Sequence, residues 1–259
     1  MNFKRWRGWI GDLSSRAWLN YILLLLITLI AAALRLYELG QWSFWIDEIY
    51  TINHAVLHFG NLQLILANTP PARNWVPVSA ILAAQALSTW GVNEWSARVA
   101  SAAIGILTFP ILYFPTSRIF GHRITLISLL LLAVSPWHIF WSQNARFYTS
   151  LMLFYTLALF AFYVGIEKDR PIYLWLFLIL VYLAASERLS ALFIYPVVAA
   201  YLAALWVLRV EKPKGVNFKN LLLIASPILI GSAIEVYSRV VSGESRFFAD
   251  FTWFFQYRV

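Results

Sequence analysis

The sequence contains no cysteine, so a disulfide framework and a thiolate metal site are both excluded. Charge is scarce. Asp, Glu, Lys and Arg make up 12% of the 259 residues, where soluble domains carry about 25%. There is no low-complexity linker and no repeat with a period of about 20 to 50 residues. Nucleic acid is not an expected partner. The net charge is +8, but the basic residues are scattered at the ends of apolar runs and form no stripe or reader motif.

What is present is apolar length. Hydrophobic residues make up 61% of the chain and the mean hydropathy is +0.69. The runs are continuous, unlike the alternating segments of about 10 residues that build a membrane barrel. Lipid tolerates no unpaired backbone polar group, so the expected fold is all-α, a polytopic transmembrane helix bundle. The aromatic content, 17% with 13 Trp, suits interface belts.

Lys4, Arg5, Arg7 and Arg16 precede an apolar run ending in Ala31-Ala32-Ala33, an arrangement like that of a cleaved signal peptide. The uncharged stretch 17–34 is 18 residues long, enough to span, and an uncleaved first helix is the expectation. Charges then bound six further uncharged stretches: 98–118, 123–146, 146–167, 170–187, 188–209 and 220–234. About seven spans are expected. The segment 75–91 is short, begins near Pro77 and is followed by Asn93 and Glu94.

The positive-inside rule decides how that segment is read. If it does not span, 12 of the 20 basic residues fall on the cytoplasmic side, including all five lysines. If it spans, Lys212, Lys214 and Lys219 move outside. It is therefore expected to lie in the outer interface. The expectation is a multi-pass protein of the cytoplasmic membrane with a cytoplasmic N-terminus. A large first outer loop, about 37–94, carries short interfacial helices, and an outer tail starts near Ser242. Asp47, Glu48, Arg73, Arg146, Glu187 and Arg188 then share the outer side. The aromatic, amphipathic stretch 247–255 suits an interfacial helix.

Asp47 and Glu48 stand side by side in Trp42-Ser43-Phe44-Trp45-Ile46-Asp47-Glu48, just past the first apolar run. Acidic residues at this depth are costly unless they face water, a partner or a ligand. Three further segments accompany the pair: Pro70-Pro71 with Trp75, Gly91-Val92-Asn93-Glu94-Trp95-Ser96-Ala97-Arg98, and Ser142-Gln143-Asn144-Ala145-Arg146-Phe147-Tyr148.

Together with Leu34-Arg35-Leu36-Tyr37, these segments resemble the polyprenyl-phosphate-sugar glycosyltransferases of the membrane GT-C superfamily. The branch holding protein O-mannosyltransferases and lipid A aminoarabinose transferases is the most similar. Thr69 stands where His or Lys precedes the paired prolines of that family, and Asn144 stands where Glu is common. Ala185-Ser186-Glu187-Arg188-Leu189 replaces a Thr-His-Tyr-like element. Family members are longer, so the chain is expected to be a single module, 1–259, with the C-terminal half of the family absent.

The resemblance implies sugar transfer, with inversion, from a polyprenyl-phosphate-linked donor to a glycan, protein or lipid acceptor at the outer face. Such a leaving group needs positive charge more than an acid, and the acceptor needs a base. Asp47 is the expected base, and Glu48 would orient it or the acceptor. Arg146, Arg73 and Arg35 would hold the donor phosphate, because a guanidinium fork matches its oxygens. Tyr148, Tyr50 and Glu187 are candidate substrate contacts. No cofactor is required. A divalent metal on His54 and His58, four residues apart on one helix face, is the lesser alternative to a pair of interfacial histidines.

Structural readings compete with these. Asp47 also suits an N-cap of a helix over 48–58. Arg35 and Arg98 suit helix-end anchors, Arg146 a lipid headgroup contact, and Glu187-Arg188 a local charge pair. Glu235 either pairs with Arg239 at i, i+4 or faces the site. Two other functions are weighed. A transporter or flippase for a lipid-linked solute would place its ionisable residues near mid-membrane, whereas here they gather at one end. A non-catalytic module would keep the fold without turnover.

Overall fold

The computed structural model describes residues 17–56 and 77–242. Among them every regular element is helical. The elements are α1 (Ala17–Leu36), α2 (Ile46–Val56), α3 (Val78–Trp90), α4 (Glu94–Phe120), α5 (His122–Ala133) and α6 (Pro136–Ser142). They continue with α7 (Tyr148–Lys168), α8 (Pro171–Glu187), a 3-10 turn (Leu189–Phe193), α9 (Ile194–Val207) and α10 (Phe218–Ser242).

The 27-residue α4 is the axis of the N-terminal half and packs on α1, α3, α5, α6 and α7. Its start is set by a reciprocal cap. Ser96 N–H donates to Asn93 Oδ1 (2.9 Å) and Asn93 N–H to Ser96 Oγ (3.2 Å), which satisfies donors the first turn cannot pair internally. Ile27, Ala31, Phe109, Leu112, Leu129 and Leu153 fill the core between α1, α4, α5 and α7. A second core joins α7 to α8, α9 and α10 through Phe162, Ile166, Leu174, Phe177, Ile194 and Ile224. Asp169, at φ 49°, and Pro171 at the first position of α8 make the sharp turn between α7 and α8.

Among the described residues five helices can cross a membrane by length and composition, or six if the bent pair α5–α6 counts as one span. The chain is an integral multi-pass membrane protein. The count differs from seven for two local reasons. Pro136 breaks the stretch 123–146, turning α6 by 62° from α5, because proline lacks the N–H and crowds the carbonyl four residues back. The stretch 170–187 yields a helix of 17 residues, about 26 Å long against a hydrocarbon core of about 30 Å. α3 has 13 residues and is too short to cross, as its expected interfacial placement requires.

A third, smaller core positions the site. Ile52 of α2, Ala84 and Leu87 of α3, Ala97 of α4 and Ala145 pack together with Phe44 against them. The small side chains buried along α3 (Ser79, Ala80, Ala83, Ala84, Ala86) let it approach its neighbours closely. The segment that carries α2 is thereby fastened over the starts of α4 and α7. Residues 57–76 and 243–259 lie outside the described residues, and with them Arg73, His58, the paired prolines, Trp75 and the aromatic tail.

Candidate functional site

The segment 143–146, between α6 and α7, binds the first loop residue by residue. Gln143 Nε2 donates to the carbonyls of Leu34 (3.1 Å) and Tyr37 (2.8 Å), covering the end of α1. Asn144 Oδ1 accepts from the Trp45 indole N–H at 2.9 Å. Ala145 N–H donates to Glu48 Oε1 at 2.8 Å. Arg146 Nη1 donates to the Asp47 carbonyl (2.8 Å) and the Thr51 hydroxyl (3.0 Å), while Ser101 on α4 holds the Arg146 carbonyl (3.1 Å). Four consecutive residues thus fix the end of α1 and the start of α2 against the start of α7.

Neighbouring carboxylates in the first turn of α2 have different fates. Glu48 is fully buried, and Arg98 grips both its oxygens, Nε to Oε1 at 2.8 Å and Nη2 to Oε2 at 2.7 Å. With Ala145 N–H and Trp45 N–H (3.4 Å) also donating, no face of Glu48 remains for an acceptor. Glu48, expected from the sequence to orient Asp47 or the acceptor, is thus bonded to Arg98 and the loop backbone. Arg98, read from sequence as a helix-end anchor, is its partner.

Asp47 points the other way. Its side chain is 39% exposed, and its Oδ2 lies 3.4 Å from Arg146 Nη2. The helix starts at Ile46, so Asp47 sits within the first turn and is not its N-cap. The arginine is mostly covered (14% exposed), and its Nε has no hydrogen-bond partner among the described residues. Asp47 and Arg146, 99 positions apart, are therefore brought together with room beside them.

Arg188 packs on the Phe147 ring that Arg146 also covers, a neighbour missed by the reading that paired it with Glu187. Glu187 is drawn away and buried, accepting from Ser79 N–H (3.0 Å) and Ser79 Oγ (2.5 Å), so that it caps α3. Arg188 is left half-exposed, 5.4 Å from the Phe147 ring that Arg146 also covers at 5.0 Å. A signal was present in the sequence: the C-terminus of α8 falls at the same side as the 143–146 loop.

Arg35 does not reach this cluster. Its fully buried guanidinium donates from Nη1 to the carbonyls of Ala31 (3.0 Å) and Ala133 (3.1 Å). Nη2 donates to the carbonyl of Leu132 (3.3 Å) and lies 2.7 Å from His138 Nδ1. The Phe109 ring covers it at 4.9 Å. Leu132 and Ala133 end α5 at the proline break, so Arg35 neutralises the carbonyl end of a helix interrupted inside the bundle. Guanidinium offers only donors, so Nδ1 of His138 accepts. A side chain at Gly105 would run into Ser142, which is why α4 carries glycine there. Arg35, expected from the sequence at the donor phosphate, has its guanidinium directed to these carbonyls and to His138.

Tyr148 is half-buried against Trp141, with ring centroids 3.8 Å apart, and Tyr50 is 66% exposed on α2. Glu235 is half-buried on α10. The side chains of His54 and Arg239 lie outside the described residues, in which no group of three or more His, Asp or Glu is placed to hold a metal.

Against known proteins, the model of the dolichyl-phosphate-mannose-protein mannosyltransferase family matches residues 70–230, well over half of the chain. The matched region includes Arg98, Arg146, Glu187 and Arg188; Arg35, Asp47 and Glu48 precede it. No curated protein and no solved structure matches the chain.

Proposed function

The chain belongs to the dolichyl-phosphate-mannose-protein mannosyltransferase family, and on that premise we propose that it transfers a sugar from a polyprenyl-phosphate donor to an acceptor at the outer membrane face, with inversion. The observation that carries this reading is the Asp47–Arg146 contact. A half-exposed carboxylate and a nearly buried guanidinium meet there, and Arg188 packs on the Phe147 ring that Arg146 also covers.

In the proposed step the acceptor hydroxyl attacks the anomeric carbon from the face opposite the phosphate. Asp47 takes the hydroxyl proton as the new C–O bond forms. The bond from the anomeric carbon to the phosphate oxygen breaks, and its electron pair leaves with the polyprenyl phosphate, which gains one negative charge. Arg146 and Arg188 face that developing charge. Because two fixed guanidinium groups supply the positive charge, the step is written without a metal. Glu48, Arg98 and the 143–146 loop set the distance between base and cations, and a misplacement of about 1 Å can cost a hundredfold in rate.

The test uses the full chain in lipid vesicles, with radiolabelled polyprenyl-phosphate mannose and a membrane extract as acceptor. Transfer by wild type, lost in Asp47→Asn with unchanged melting, supports the reading. Equal transfer by both proteins rejects Asp47 as the base. Transfer by neither folded protein rejects an activity of this chain on its own.

A further inference from the structure

A lipid phosphate is one molecule, so a site that holds its phosphate must open onto apolar surface within a few ångströms. Protein groups hold Arg146 at its backbone and at one guanidinium nitrogen: Ser101 of α4 donates to its carbonyl, and its Nη1 donates to the Asp47 carbonyl and the Thr51 hydroxyl of α2. Its other neighbours follow the chain onward. The Arg146 guanidinium lies over Phe147 (5.0 Å), Phe147 meets Tyr148 (4.4 Å), Tyr148 meets Trp141 (3.8 Å), and Trp141 meets Phe140 (4.9 Å) and Trp137 (6.5 Å). Trp45 flanks Trp141 at 6.3 Å.

The helix that carries this path has two faces. His138 and Ser142 are fully buried against α4 and Arg35, whereas Trp137 and Phe140 are 51% and 53% exposed. The 62° bend that Pro136 imposes turns this second face out of the line of α5. An unbroken series of rings therefore leads from the two arginines to the outside of the bundle.

Resting on the transferase reading above, we propose that Tyr148, Trp141, Phe140 and Trp137 form a track for the first isoprene units of the donor lipid, whose phosphate lies at Arg146 and Arg188. The flat, polarisable rings suit a chain of methyl-branched alkenes by dispersion and by removal of apolar area from water. Trp90 and Trp95, which meet each other at 5.3 Å elsewhere on the molecule, have no cation over their rings among the described residues. They serve as an internal control for aromatic residues that merely belong to the membrane interface.

The full chain in phosphatidylcholine vesicles is labelled with a long-chain polyprenyl phosphate bearing a diazirine in its first isoprene units, and the adducts are mapped by mass spectrometry. Adducts are expected on 137–148, displaced by unlabelled polyprenyl phosphate and not by the corresponding polyprenol. Trp141→Leu should lower the displaceable labelling about tenfold and the more exposed Phe140→Leu about threefold. Equal labelling of Trp90 and Trp95, or labelling indifferent to the competitor, would overturn the track. Displaceable labelling without sugar transfer would leave the track standing and remove the transferase reading. Transfer with adducts elsewhere would do the reverse.

Discussion

Asp47–Arg146 and Glu48–Arg98 are two carboxylate–guanidinium pairs built from adjacent residues, and they differ in nearly every physical respect. The Glu48 pair is bidentate at 2.7–2.8 Å with both side chains buried. The Asp47 pair is a single contact at 3.4 Å with the carboxylate 39% exposed. Successive residues on a helix point about 100° apart, so one side chain enters the core under the loop and the other faces the opening. The buried pair has given up its solvation and filled its bonding capacity, which makes it a fastener. The open pair keeps a single longer contact and an exposed carboxylate, which is what a base requires.

The contrast can be broken from the open side first. Asp47→Asn should cut sugar transfer by about 10²–10⁴-fold, the usual worth of a positioned base, with the thermal midpoint of the purified protein unchanged. A variant that keeps its rate would move the base elsewhere. From the closed side, Glu48→Gln or Arg98→Met each leaves a buried group stranded, and should cost about 3–5 kcal/mol of stability, read by denaturation in detergent micelles. The double variant should recover part of that loss, since removing both members of a buried pair is often close to neutral.

Two smaller effects sharpen the boundary between the pairs. Arg188→Ala should raise the donor KM about tenfold, through loss of a charge-assisted contact, without changing the melting point, and Arg188→Lys should restore part of the affinity. An unchanged KM would place the phosphate on Arg146 alone. Glu187 is a third carboxylate, buried like Glu48 but held by a hydroxyl and an amide in place of a cation. Glu187→Gln should therefore cost only about 1 kcal/mol, the scale of a helix cap, measured as a small shift of the same denaturation curve.

Much of the architecture was legible in the chain. Long uncharged runs bounded by charges mark helices in lipid with little ambiguity, and Asn93 with Ser96 marks the start of α4. The span count was less so, because Pro136 breaks a run whose composition stays uniformly apolar across it. In the candidate site, Asp47 and Arg146 were legible as charges that an apolar surrounding leaves without a structural need. The roles of Glu48, Arg98, Arg35 and Arg188 were not. Arg35 was expected at the phosphate and braces a broken helix; Arg188 was expected in a local pair and packs on the Phe147 ring that Arg146 also covers.

The sequence by itself determined the solvent of this protein, its helical class and the family to which it belongs. Hydrophobic length and the pairing needs of a backbone in lipid are local properties, readable a segment at a time. Only the tertiary structure decided which carboxylate meets which arginine. Each such pairing joins residues 50 to 99 positions apart, and burial, the quantity that separates a fastener from a reactive group, belongs to the packed helices and not to any residue alone.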